Sequence, residues 1–417
     1  MPTPVSSLLH AATLVIAGIY LVIRSSYILE FCTDSIIYIG IIGSITSIFA
    51  SFIGVFQLDI KRIIAYSTIS QIGYLYIASG ISYYNVSIFH MINHSFFKSL
   101  LFICAGILIH SSFDIQDIRK FGGYRFFIPI IYIAMIIASF ALMAIPSTTG
   151  FYSKDLIIEI SNYSFIFNTY IFYICSIIAA FITTFYSFKI IIMVFFYFPN
   201  SSKFIYYNIH DLSITLYIPV IFLSICSIIF GYIFSDIFIG FGSDIFNNSI
   251  FVYNVNYFYD FDLDYSFIRK FIPFAFTIIS SILSIYVYHY INISINSIYY
   301  LYNSIYSFVI NNFYIDIIVN KYLLFSGYNY AYYFTKFIDQ GLIEIIGPAG
   351  IYKSIVNNNY NNIFNPNINT SNLTINFYIY YWFYFIFFSI LFLFITIYLP
   401  FSYIIYIYIL VFFIILI

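Results

Sequence analysis

At least eight stretches of about twenty consecutive, mostly apolar residues follow one another along this 417-residue chain. At about 1.5 Å of rise per residue, that is the length a helix needs to cross the roughly 30 Å hydrocarbon core of a bilayer. In lipid a backbone must satisfy its own hydrogen bonds, so only helices and closed barrels span it. Barrel strands would show segments of about ten residues alternating apolar and polar. The runs here are twice that long and do not alternate, so the sequence predicts an all-α polytopic membrane protein. Only 7% of residues are charged and 63% are apolar, against about 25% charged in soluble domains. Such a chain cannot clothe a water-facing surface. Its 47 tyrosines and 53 phenylalanines lower helix propensity in water; in lipid the demand for internal hydrogen bonds overrides that preference.

Several function classes fall away. With 15 basic and 16 acidic residues and no dense basic tract, a nucleic-acid partner is excluded. Cys32, Cys104, Cys175 and Cys226 are scattered without ligand spacing, so neither zinc nor an iron–sulfur cluster is expected. Met1 is followed at once by Pro2-Thr3-Pro4 and an apolar run. That start lacks the basic opening and short core of a signal peptide, so no cleavable targeting segment is expected. The bias to Ile, Phe, Tyr and Asn hints at synthesis beside the membrane from an AT-rich genome.

The predicted spans are Val5–Ile23, Ile36–Phe56, Ile63–Ile81, Val86–Ser111, Ile128–Ile160, Phe165–Phe198, Ser213–Phe234 and Phe267–Tyr290, with a closing run Phe377–Ile417 that crosses once or twice. The run Ile128–Ile160 is too long for one straight span and is broken at Pro146 and Gly150. If it crosses once, the loops Gln57–Arg62, Ser112–Phe127 and Pro199–Leu212 share one side and hold Lys61, Arg62, Arg119, Lys120, Arg125 and Lys203. The other side has Arg24 as its only basic loop residue, with Asp236, Asp244, Asp260, Asp262 and Asp264. The basic side is then the cytoplasm, or the matrix of a mitochondrion.

A charge inside a span costs several kcal/mol unless it is paired or hydrated. His90, His94 and Lys98 recur every four residues on one helix face, each about 6 Å above the last. Such a ladder can hold water and pass a proton, because imidazole and a desolvated amine both titrate near neutrality. The structural alternative is a carbonyl-bonded histidine and a snorkelling lysine, which the central position of Lys98 makes difficult. No Asp, Glu or Cys completes a metal site with the two histidines. The second place is Pro146 to Asp155, where Ser147-Thr148-Thr149-Gly150 is expected to be unwound and Lys154, beside Asp155, falls just beyond the break. A broken helix brings free backbone groups and half-helix dipole ends to mid-membrane; the alternative is a kink with an interfacial charge pair. His10 lies inside the first span, where position alone leaves packing and function open. Asp59, in Asp59-Ile60-Lys61-Arg62, is either an orientation anchor or a charge partner.

The run from Pro2 to Val15, the stretch Asp59 to Tyr74, the segment Ile88 to Phe102 and Gly150-Phe151-Tyr152-Ser153-Lys154-Asp155 together resemble the antiporter-like, proton-pumping membrane subunits of respiratory NADH dehydrogenase, in that family's order and spacing. The likeness is strong over about residues 2–160 and weaker beyond. Asn311–Asp316 and Phe337–Ile343 look like parts of the lateral amphipathic helix carried by the most distal of that complex's three large pumping subunits. The resemblance implies four regions: 1–198, a second five-helix repeat with a discontinuous helix; 199–291, additional spans; 292–376, a lateral helix on the matrix side; and 377–417, a C-terminal anchor.

The same resemblance makes His10, His90, His94, Lys98 and Lys154 the hydrated proton axis, with Asp155 beside the last and Asp59 at the matrix face. It implies proton transfer from matrix to intermembrane space and no redox chemistry in this chain. FMN, iron–sulfur clusters and ubiquinone belong to other subunits; phospholipids such as cardiolipin are expected structural ligands. The family's first repeat, with its uptake-side glutamate and first broken helix, has no counterpart here. The implied partners are a separate polypeptide supplying that half, the alternative being that this sequence is the second part of a longer chain, with the chain 4 homologue, other membrane-arm subunits and supercomplex neighbours. A multisubunit sodium/proton antiporter, a non-pumping brace of the distal arm and an organic-solute transporter stand as rivals.

Overall fold

The computed structural model describes residues 13–163, 169–207, 209, 214–240, 245–246, 249–252, 267–290 and 306–344, with positions 350, 352, 353 and 356 beyond. The chain forms two compact units, Met1–Ile315 and Asp316–Ile417. Among the described residues the structure is helical, with one isolated β-bridge, Asp59 to Asp117, and no strand. The principal helices of the first unit are α1 (Leu14–Arg24), α2 (Thr33–Phe56), α3 (Ile60–Ser79), α4 (Tyr84–Ser111), α5 (Pro129–Met143), α6 (Leu156–Tyr163), α7 (Thr169–Ile191), α8 (Ile214–Ile239) and α9 (Phe267–Tyr290). Among the described residues, five helical segments are long and apolar enough to cross a membrane: α2, α4, α7 with its π-helical extension to Phe196, α8 and Phe271–Tyr288 of α9. The helix starts and ends lie within about six residues of the predicted spans. Val5 to Ala12, with His10, and the closing run 377–417 lie outside the described residues.

Close approach between α2 and α3 sets the frame. A Cβ added to Gly73 would sit 2.7 Å from the Gly43 carbonyl and the Ser47 backbone nitrogen, and one added to Gly80 would sit 2.5 Å from Gly40 Cα. Small residues at this spacing let the backbones touch, which is how helices gain dispersion energy in lipid without a hydrophobic drive. Serines inside these spans donate to carbonyls three residues back, as Ser44 does to Ile41 (2.8 Å), Ser47 to Ser44 (2.8 Å) and Ser51 to Ile48 (2.9 Å). Their hydroxyls are therefore satisfied within their own helix.

The long run after Ile128 forms a single interrupted span. Ile131, Ala134, Met135 and Ala138 of α5 share a core with Tyr186, Ile190 and Val194, at the C-terminal end of α7. Ile157, Ile158 and Ile160 of α6 share another with Phe172, Tyr173 and Ile177, near its start. The two halves thus lie end to end along one antiparallel neighbour. α8 approaches the break at Gly231, where a Cβ would meet Thr149 Cα at 2.6 Å. α9 runs beside α7, joined by Ser280 Oγ to the Phe181 carbonyl (2.6 Å) and to Thr184 Oγ1.

The loops gather at two ends, as their alternation requires. At one, Ile60 N–H donates to Gln116 O (3.0 Å), Ile118 N–H to Leu58 O (2.9 Å), Asn200 Nδ2 to Arg119 O (3.1 Å) and Tyr206 OH to Gly122 O (2.8 Å). At the other, Tyr84 OH donates to Glu30 Oε1 (2.9 Å), and Phe251 stacks on Tyr27 and Phe31 at 5.6 and 5.7 Å. The first end carries Lys61, Arg62, Arg119, Lys120 and Arg125, the basic set expected on one side. There the Arg119 guanidinium, bonded to Asp117 at 2.7 Å, holds that carboxyl below its usual range near 3.8. In the second unit, a π-helical stretch Ile318–Leu324, α10 (Phe325–Phe334) and a second π-helical stretch Thr335–Ile343 follow one another with their side chains largely exposed.

Two tests follow. Gly73→Val drives a branched side chain into the Gly43 carbonyl and is expected to abolish α2–α3 pairing, read as loss of folded protein on a native gel; Ile69→Val, at an exposed position, leaves it intact. A depressed carboxyl adds stability above its unfolded value and loses it as pH falls through the folded one. Protection of the Arg119 amide, which bonds Asp117 Oδ1 at 3.0 Å, measured against its intrinsic exchange rate, is therefore expected to fall below about pH 4, and Asp117→Asn removes that acid dependence.

Candidate functional site

α4 carries the polar ladder through the middle of the first unit. Its 28 residues span about 42 Å, and His90, Asn93, His94 and Lys98 are all 0% exposed. A snorkelling Lys98 is thereby excluded. Its Nζ donates to Ser67 Oγ of α3, and among the described residues no carboxylate comes within ion-pair distance of it. His94 and His90 follow with ring centroids 6.3 Å apart, and Phe97 stands edge-on to His94 at 5.4 Å. His90 Nδ1 lies 2.9 Å from Ser153 Oγ, so the ladder ends on the broken helix.

The break is built on a helix C-terminal turn in which Ala144 adopts a left-handed conformation (φ 63°). Its N–H donates to Ala141 O at 3.3 Å and the next N–H, of Ile145, to Phe140 O at 3.1 Å. This is the Schellman arrangement, in which glycine is the usual occupant. Unwinding thus begins two residues before Pro146 and ends at Thr148; Thr149 and Gly150 are already helical. This corrects the expected 147–150 segment. Proline disfavours helix in the residue before it and cannot donate itself, so the turn must close upstream. Gly150 is required on the other side, because a Cβ there would lie 1.8 Å from Ala141 O.

The turn leaves the Leu142 carbonyl free, and Lys154 takes it. Lys154 sits in a π-helical turn, Phe151–Asp155, and is 1% exposed. Its Nζ donates to Leu142 O at 3.2 Å and to Thr183 Oγ1 of α7 at 2.9 Å, and lies 5.1 Å above the Tyr74 ring. An ammonium at the negative end of a half-helix is favourably placed. Asp155, although adjacent in sequence and buried, makes no ion pair with it, so the interfacial charge-pair reading is set aside.

Many buried polar atoms along this line have no protein partner: His94 Nδ1 and Nε2, His90 Nε2, Asn93 Oδ1, Thr149 Oγ1 and both amide atoms of Gln71. Buried polar groups are almost always satisfied, so the row has the chemistry of a chain that binds water. Asp59 stands apart. It precedes α3 at the loop end, pairs with Arg62 at 3.2 Å and is 39% exposed, which favours the orientation anchor. Among the described residues no three His, Cys, Asp or Glu side chains converge as a metal site.

One buried cation escaped the sequence reading. Lys189 of α7 is 5% exposed and donates to Val55 O and Gln57 O, both at 2.7 Å. A lysine about twenty residues into an otherwise apolar run was the available signal.

Residues 1–183 match the family described as NADH:quinone oxidoreductase/Mrp antiporter, TM. The chain is 45% identical over 363 residues to NADH-ubiquinone oxidoreductase chain 5 of Schizophyllum commune, covering 86% of this chain and 53% of that one. It is 43% identical over 371 residues to the protein of the same name from Talaromyces marneffei, covering 87% and 56%. With the one from Acanthamoeba castellanii it shares 41% identity over 361 residues, covering 85% and 53%. The chain thus spans about half the length of the curated relatives it matches. A chain in the structure of the Mrp complex from Dietzia sp. DQ12-45-1b shares the fold, with a TM-score of 0.54 at 20% identity over 79% of this chain and 36% of that one.

A left-handed alanine costs roughly 1 kcal/mol that glycine avoids. Ala144→Gly is therefore expected to stabilise the folded protein by about that amount in thermal unfolding, while Gly150→Ala, which cannot clear Ala141 O, is expected to unfold it.

Proposed function

We propose that this chain, whose residues 1–183 match the NADH:quinone oxidoreductase/Mrp antiporter family and which is 43–45% identical to two chain 5 proteins over about half of their length, is the second, proton-translocating half of NADH-ubiquinone oxidoreductase chain 5. It works in the mitochondrial inner membrane and moves protons from matrix to intermembrane space. Electrons, flavin, iron–sulfur clusters and ubiquinone are handled by other subunits, with phospholipids such as cardiolipin between them.

The observation that carries the reading is a pair of fully buried ammonium groups without carboxylate partners, joined by a run of imidazoles. Lys98 and Lys154 lie at the two ends of Lys98–His94–His90–Ser153–Lys154. A scaffold gains nothing from such groups, since each costs several kcal/mol to hold in a membrane. A carrier does gain. When a charge nearby changes, an amine partnered only by hydroxyls and carbonyls can lose its proton without breaking an ion pair. The proton leaves Lys98 for His94 through water, passes His90 and reaches Lys154, whose release side is the half-helix end at Leu142. His10 is assigned to the delivery side of Lys98. A first repeat is expected to seat on α1, where Leu14, Tyr20 and Leu21 are exposed; the chain 4 homologue and other membrane-arm subunits complete the surroundings.

The test uses the intact respiratory complex in sealed vesicles. Lys98→Met and Lys154→Met are each expected to assemble and oxidise NADH, while protons moved per NADH fall by the whole share of this subunit. An unchanged ratio in both variants overturns the pumping role.

A further inference from the structure

The ladder leaves unexplained a second polar line, which starts at Lys98 and runs to the basic loop end. Lys98 holds Ser67 Oγ. Next to Ser67 on α3, Ser70 Oγ lies 3.3 Å from the Tyr186 hydroxyl, and Tyr186 is 1% exposed. The Gln71 side chain, 0% exposed, has both amide atoms unsatisfied in the same neighbourhood. The cavity of about 10 Å³ beside Ser67 and Tyr186 has an apolar lining, so the line runs through the hydroxyls themselves. One turn further along α7 comes Lys189, on the face that carries Tyr186. Its ammonium closes the end of α2 at Val55 and Gln57, where Gln57 Nε2 is again unsatisfied. The charged groups that act on it are Arg119 and Asp117, on the loop after α4.

We propose that Lys189 and Tyr186 form a proton-loading branch that feeds Lys98 from the basic loop face, within this half of the subunit. The inference rests on the pumping role proposed for Lys98. The Lys189 ammonium gives one proton to the Tyr186 hydroxyl as its flexible stem swings off the α2 carbonyls. Tyr186 passes its own hydroxyl proton to Ser67, and Ser67 passes its own to the neutral Lys98 amine. Each hydroxyl ends with the proton it received, and Lys189 recovers one from water at the loop face. The competing role, closure of the α2 C-terminus, needs only a fixed cation.

Lys189→Arg separates the two roles, because arginine keeps the charge and the carbonyl bonds but does not release a proton. Tyr186→Phe removes one oxygen and no packing volume. In the intact complex in sealed vesicles, both variants are expected to keep the wild-type rate of NADH oxidation while protons per NADH fall as far as in Lys98→Met. A structural role would lower both readouts together or neither, and either result overturns the branch. If Lys98→Met lowers the ratio and Tyr186→Phe leaves it at the wild-type value, the branch is wrong and the pumping role stands. If Lys98→Met also leaves it unchanged, the branch falls with it, and Lys154→Met decides the pumping role. Should Lys189→Arg fail to assemble, Tyr186→Phe decides alone.

Discussion

An ammonium group buried in a membrane must find oxygen atoms, and in this chain it finds neutral ones. Lys98 takes a serine hydroxyl, Lys154 a threonine hydroxyl and the freed Leu142 carbonyl, and Lys189 two carbonyls at the end of α2. Much of the bundle's geometry serves those bonds. α3 must lie close enough to α4 to bring Ser67 to Lys98. α5 must stop early enough to leave Leu142 without a partner. α7 must supply Thr183 to one lysine and place another at the mouth of α2. Neutral partners stabilise the charge less than carboxylates would, so the protonated and neutral forms lie closer in free energy, which proton transfer along a line requires.

The glycines and small residues follow from the same demand. Polar ladders facing one another across helices work only if the backbones approach, and Gly43 against Gly73 and Gly40 against Gly80 permit that. Gly150 and Gly231 do the same around the broken helix, one admitting the Ala141 carbonyl and the other the backbone of Thr149. Polar side chains not on the ladder are quieted locally, their hydroxyls turned onto carbonyls of their own helices. Among the described residues, the unsatisfied groups are those of His90, Asn93, His94, Thr149, Gln71 and Gln57, with Tyr124 and Ser201 at the basic loop end. The contrast between satisfied serines and unsatisfied histidines sets the ladder apart more sharply than charge alone does.

The sequence by itself determined the solvent, the class and the gathering of basic loop residues at one end. Runs of apolar residues too long for a soluble helix leave only spanning helices, and alternation of loops then puts the basic residues at one end. It also singled out Lys98, His90, His94 and Lys154, because an ionisable group in an apolar run is rare enough to stand out without any neighbour being known. Tertiary structure alone decided partnership. Position could not tell that Lys154 would turn from its neighbour Asp155 to a carbonyl twelve residues back, since that carbonyl is freed only by the left-handed turn at Ala144. Nor could it show Lys189 as buried, since its cover comes from α2, more than a hundred and thirty residues away. Periodicity reports which face of a helix is polar; what that face meets depends on helices distant in sequence, and only their packing in three dimensions fixes it.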